Sequence, residues 1–156
     1  MISPSVRRLA LTSALLLTSC DFVHGVQRVA LVDDGVDVPS IETWVMAHPE
    51  YEPQDSHPWD GEVMWHRVQR GGAYAHLASE GRELMIGSMR IGPPSDEELS
   101  ACLALQDELL ESLLSRFPSL PPRSQWRMTD WYLRERLAEL GIESGDYVRP
   151  DETSDR

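Results

Sequence analysis

The sequence predicts an α+β fold: a small antiparallel sheet of about four strands, a long helix packed on one face, and an accessory C-terminal helix. Three observations lead there. Residues 26–32 (VQRVALV) concentrate β-branched and aliphatic side chains, which suit a pleated, half-buried strand. Residues 62–92 hold two turn signals, Gly71-Gly72 and Glu80-Gly81, between three strand-like runs, the pattern of consecutive hairpins. Residues 95–117 carry leucines at helical spacing between Pro94 and Pro118.

Each element follows from local chemistry. Asp33-Asp34-Gly35 signals a turn after the first strand. Val38-Pro39-Ser40 opens a short helix to about Ala47, with proline in the first turn and Ile41, Trp44 and Val45 on one face. Pro49 stops it, and the polar, proline-punctuated residues 50–60 read as a surface loop. If both glycine turns have two residues, one sheet face collects Met64, His66, Val68, Ala73, Ala75, Leu77, Leu84 and Ile86. The other collects Trp65, Arg67, Gln69, Tyr74, His76, Glu83 and Met85. A one-residue slip would scramble this sorting of core from mixed surface, which supports the register.

Ser95 and Glu98 have the spacing of a capping box. The helix they begin runs to about Phe117, with Leu99, Cys102, Leu103, Leu109, Leu110, Leu113 and Leu114 on one side, broken by Gln106. Residues 118–123 (PSLPPR) form a semi-rigid connector. A last helix is expected from about Thr129 to Leu140, with Leu133, Leu137 and Leu140 on one face, Gly141 as a left-handed cap and Ile142 packing back. Residues 26–142 thus form a single domain, followed at 143–156 by an acidic flexible tail.

The start of the chain differs from the rest. Arg7 and Arg8 precede a nine-residue apolar run, residues 9–17, too short for the roughly 20 residues that span a bilayer as a helix. A positive start, a short apolar run and small residues ahead of a cut site are the parts of a secretory signal. Leu17-Thr18-Ser19-Cys20 resembles the lipobox of bacterial lipoproteins, a resemblance confined to residues 1–20. It implies removal of residues 1–19 by a cut between Ser19 and Cys20, and lipid attached to Cys20. Several acyl chains anchor stably where one chain binds only marginally. Asp21 resembles the signal that retains such proteins on the inner membrane, facing the periplasm, in a Gram-negative host. Residues 20–25 then form a short membrane-proximal linker, which keeps the domain close to the bilayer.

Charge narrows the partners. With residues 1–19 removed, 12 arginines stand against 26 acids, a balance of −14. That argues against nucleic acid, whose phosphates need a basic face, and against a domain lying flat on anionic headgroups. It favours solubility, and attraction of basic proteins within the roughly 8 Å that salt allows. With Cys20 lipidated, Cys102 has no cysteine to pair with.

No catalytic, cofactor or metal motif stands out. The five histidines lack ligand spacing, and the two-residue turn puts His66 and His76 on opposite faces. Asp33, Asp34 and Asp37 lack the EF-hand order and read as a solvated turn with a helix cap. Cys102 falls on the apolar stripe of the long helix, the place of an inert packing thiol. The remaining candidate is the second sheet face, where Trp65, Arg67, Tyr74, His76 and Met85 combine side chains typical of interface cores. Cover by the C-terminal segment, through Trp126 or Trp131, would instead make that face a second core. The expected role is an envelope-anchored, non-enzymatic protein-binding module, such as an immunity-type protein or an accessory of an envelope assembly. The alternatives are an envelope hydrolase using His66 or His76, or a small-ligand carrier.

Overall fold

The computed structural model describes residues 22–53 and 65–146. Ser19, Cys20 and Asp21, the loop tryptophan Trp59, Met64 and residues 147–156 lie outside them. The described chain is α+β, with one antiparallel six-stranded sheet and three helices, one of them long. In chain order these are β1 (Val23–Leu31), α1 (Val38–Met46), β2 (Tyr51–Glu52), β3 (His66–Arg70), β4 (Ala73–Glu80), β5 (Glu83–Ile91), α2 (Asp96–Arg116), β6 (Arg127–Trp131) and α3 (Arg134–Glu139). The strands lie in the order β2-β3-β4-β5-β1-β6.

The hairpin sorting holds, by a slightly different route. Arg70 pairs with Ala73, so Gly71-Gly72 is the first two-residue turn, and Gly71 takes the positive φ that such a turn demands. The second turn is Gly81-Arg82, since Glu80 pairs with Glu83, one residue later than the sequence suggests. Moving a hairpin turn by one residue shifts the pairing by two. An even shift leaves every side chain on its face.

All the buried helix residues pack on the first face. Val68, Ala75, Leu77, Leu84 and Ile86 of the sheet meet Ile41 and Val45 of α1 and Cys102, Leu105, Leu109, Leu110 and Leu113 of α2. A smaller cluster joins Val26 to Leu99, Leu103, Leu133 and Leu137. Ser95 and Glu98 make the expected reciprocal capping box. Gln106, the break in the leucine stripe, is fully buried and donates from Nε2 to the Val26 carbonyl (3.2 Å) and Ser88 Oγ (2.8 Å). It thereby ties α2 to β1 and β5.

The sheet has two strands more than expected, and both lie at its edges. Tyr51 and Glu52, read as loop, pair with Val68 and Arg67. Residues 127–131, the last three of them read as the start of a helix, pair with β1 from Val29↔Arg127 to Gly25↔Trp131. An unpaired edge exposes a row of backbone donors and acceptors, and short segments of little intrinsic preference are recruited to satisfy them. The last helix is consequently only six residues, with Leu133 at its N-cap and Leu137 buried, but Leu140 exposed. It ends as expected: Gly141 is left-handed, its N–H donates to Ala138 O, and Ile142 N–H donates to Leu137 O, a Schellman cap. The stretch from Glu143, read as tail, is held at Gly145, whose N–H donates to Met128 O and whose carbonyl accepts from Asp130 N–H.

Candidate functional site

Strand register assembles the second face. Arg67 lies opposite His76 and Gln69 opposite Tyr74. Ala78 lies opposite Met85, and Met85 opposite Val29. His76 pairs with Gly87 and Gly87 with Gln27, so a continuous row crosses four strands. At Gly87 a side chain is excluded, because a Cβ there would stand 2.8 Å from Gln27 Cβ.

All five side chains expected at a partner surface come together here. The Trp65 and His76 rings meet edge-on with centroids 6.0 Å apart, and the Tyr74 and His76 rings at 5.5 Å. The Arg67 guanidinium carbon sits 4.7 Å above the centre of the Tyr74 ring, within the range of a cation–π contact. Trp65 also packs on Val29, Ala78 and Met85. Trp65, Arg67 and Tyr74 are half-buried, whereas His76 and Met85 are only 6% and 3% exposed. The accessible part of the cluster is therefore an aromatic–arginine group resting on a buried histidine and methionine.

The surroundings are polar for a buried layer. Gln27, Glu83 and Thr129 are buried on the same face. Gln27 Oε1, Thr129 Oγ1 and Arg67 Nε make no hydrogen bond. Tyr74 donates its hydroxyl to Met89 O (2.9 Å), and burial, helped by nearby Cys102, pushes its phenol up to about 12. It is a neutral donor at any physiological pH. Of the two tryptophans expected to cover this face, Trp126 packs into the first-face core, donating Nε1–H to Pro121 O. Trp131 instead extends the second face from edge strand β6, opposite Gly25. The β1 and β6 contributions, Gln27, Val29 and Thr129, escaped sequence reasoning. Alternation in VQRVALV signals two faces, but only pairing says which hairpin face they join.

The other candidate residues are dispersed. His66 is on the first face, as the turn length requires, and is 4% exposed. Tyr51 Oη lies 3.4 Å from its Nδ1, and Glu42 lies 3.8 Å from its Nε2. A histidine, a carboxylate and a hydroxyl do converge, but at separations longer than the roughly 2.6–3.2 Å of proton transfer. Asp37 caps α1 through Ser40, whose side-chain and backbone hydrogen bonds hold its carboxyl below the usual range. Asp33 and Asp34 are exposed beside Arg82 at 3.8 and 3.5 Å. Cys102 is a free, buried thiol. It borders a crevice between β1, β5 and α2 of about 10 Å³, room for one water against the roughly 300–1,000 Å³ of a ligand pocket. Among the described residues no group of three or more His, Cys, Asp or Glu is arranged to hold a metal ion. Nor is any helix there long and apolar enough to cross a membrane.

Comparison with protein-family models, with curated proteins and with solved structures finds no match for this chain. Function has to be read from the side chains themselves.

Proposed function

We propose that this protein is a lipid-anchored envelope protein whose domain is a non-enzymatic protein-binding module, of the immunity or assembly-accessory kind. The observation that carries the binding role is the cluster on the second face. Trp65, Arg67 and Tyr74 keep part of their surface in solvent while Trp65 rests on His76 and Met85, Tyr74 meets His76, and Arg67 lies over the Tyr74 ring. Rigid aromatic and arginine side chains, ordered before a partner arrives, are what interface hot spots are made of. The surplus of acids favours a basic partner. The anchor rests on Leu17-Thr18-Ser19-Cys20 and the signal-like residues before it. The hydrolase alternative, with its loose Tyr51–His66–Glu42 geometry, has less behind it.

The test is partner capture from detergent-solubilised membranes, using the full-length protein beside a Trp65→Ala/Arg67→Ala variant of unchanged stability. A specific partner retained by the native protein and lost by the variant is the expected result. Failure to retain any specific partner, or equal retention by the variant, would count against the site. Intact-mass analysis beside Cys20→Ala tests the anchor separately: a lipid-sized increment is expected at Cys20 and absent from the variant.

A further inference from the structure

One end of the sheet exposes an apolar patch that the partner surface does not use. Phe22 and Ile91 are each 53% exposed, and Tyr132 is 69% exposed. The Phe22 and Tyr132 rings pack 5.3 Å apart, and His24 joins Tyr132 at 5.7 Å. The Phe22 carbonyl accepts from Gly92 N–H next to Ile91, so the patch has a paired backbone beneath it. Tyr132 is set outward by a left-handed backbone, φ +59°, the one positive φ among the described non-glycine residues. Such a conformation is uncommon for a tyrosine.

The position of this patch says what it faces. Phe22 is two residues after Cys20, so its Cα lies within about 7 Å of the lipidated residue's, whatever path the chain takes. Each headgroup layer is roughly 5–8 Å thick. Aromatic rings with a polar tip, such as tyrosine, settle in that layer. Charge is arranged to match. At this end Asp96, Glu98 and Asp146 are each held by an arginine, respectively Arg136, Arg90 and Arg134. Asp130 also lies beside Arg134, while exposed Glu97 and Glu135, with His24, are further titratable groups at this end. At the far end of β1, eight steps or roughly 27 Å away at about 3.4 Å per residue, Asp33 and Asp34 share one arginine, Arg82, and Asp37 is exposed.

We propose that Phe22, Tyr132 and Ile91 form a membrane seat. It lies in the headgroup layer that holds Cys20 and stands the domain on end, with the acidic 33–37 loop pointing away from the bilayer. The proposal rests on the lipid anchor argued above. It agrees with the net charge, which opposes a domain lying flat but not one resting on an apolar end where Asp96, Glu98 and Asp146 are each paired with an arginine. The seat also gives the partner surface a fixed orientation, with the β strands near the membrane normal.

The test places a nitroxide at single cysteines in the full-length, lipidated protein, in vesicles of phosphatidylethanolamine and phosphatidylglycerol. The sites are Tyr132→Cys and Ile91→Cys in the seat and Leu31→Cys at the far end, where Leu31 is equally exposed at 50%. The protein without substitution reports any background from buried Cys102. Collision rates with oxygen and with a polar nickel reagent give depth. The expected result is headgroup depth at 132 and 91, with several-fold protection from nickel relative to 31, and an aqueous signal at 31. Aqueous signals at all three sites in protein that floats with the vesicles would overturn the seat and leave the anchor standing. Protein that fails to float, with no lipid mass at Cys20, would overturn the anchor and the seat together. Using two seat positions keeps the result readable if one substitution disturbs the fold.

Discussion

The two faces of this sheet are buried by opposite means. The first is mostly aliphatic: Val68, Leu77, Leu84 and Ile86 against leucines of α2, with Gln106 buried among them, its Nε2 making two hydrogen bonds and its Oε1 none. The second offers a small apolar cluster, Val29, Ala78 and Met85, among Gln27, His76, Glu83, Thr129 and the half-buried Trp65 and Arg67. Apolar burial is non-directional and scales with area, so the first face provides stability without prescribing much detail. A buried polar layer costs stability wherever a group such as Gln27 Oε1 makes no hydrogen bond, yet it holds side chains in defined places. The difference places cohesion on the first face and suits the second to the recognition proposed for it.

The largest effect should come from the first face. Leu110 is fully buried among the sheet and α2, so Leu110→Ala should lower unfolding free energy by about 2–5 kcal/mol in a urea titration. A loss as small as that of a surface change would mean the helix face is not the main core. Next is the seam of the second face. Gly87→Ala sets a Cβ 2.8 Å from Gln27 Cβ, and overpacking of β5 against β1 should cost about 1–3 kcal/mol. An unchanged midpoint would show that the second face tolerates rearrangement, contrary to its proposed role.

Arg67→Ala sharpens the contrast further. An exposed cation–π contact is worth about 0.5–1 kcal/mol, so the urea midpoint should move little while partner capture is lost. The smallest effect belongs to the rim, where Arg70 bridges Glu50 and Glu108. Hydrogen bonds from Arg70 are the main cause holding both carboxyls below their usual range. Their folded values are depressed, so this contribution is complete above the ordinary glutamate value of about 4.3 and fades as pH falls through the lower folded values. Arg70→Gln should therefore lower stability slightly at neutral pH, with the difference from the native protein vanishing as pH falls through the folded carboxyl values, so that the acid limb flattens. A variant that loses stability equally at all pH values would assign Arg70 a packing role instead.

Much of this architecture is visible in local pattern. The capping box at Ser95 and Glu98, the Gly71-Gly72 turn and the Gly141 cap are short-range devices whose geometry follows from neighbouring residues. The five-residue cluster was visible for the same reason, since period-two alternation in two adjoining hairpins sorts Trp65, Arg67, Tyr74, His76 and Met85 to one side. The edge strands were not. Residues 127–131 (RMTDW) contain no feature that outweighs the leucine spacing beginning at Leu133, and only the open edge of β1 makes a strand of them. Tyr51 and Glu52 become a strand for the same reason at β3.

By itself, then, the amino-acid sequence determined the α+β class, the core stripe of the long helix, the hairpin faces and the grouping of the candidate residues. Periodicity and capping are local, and local interactions are written in consecutive residues. Tertiary structure alone decided that two more strands close the sheet edges, and that Gln27, Val29 and Thr129 complete the second face. It also decided that Phe22, Ile91 and Tyr132, separated by up to 110 positions, meet at one end. Those outcomes depend on which backbone edge lacks a partner and which strands lie side by side, and such relations exist only once the chain has folded.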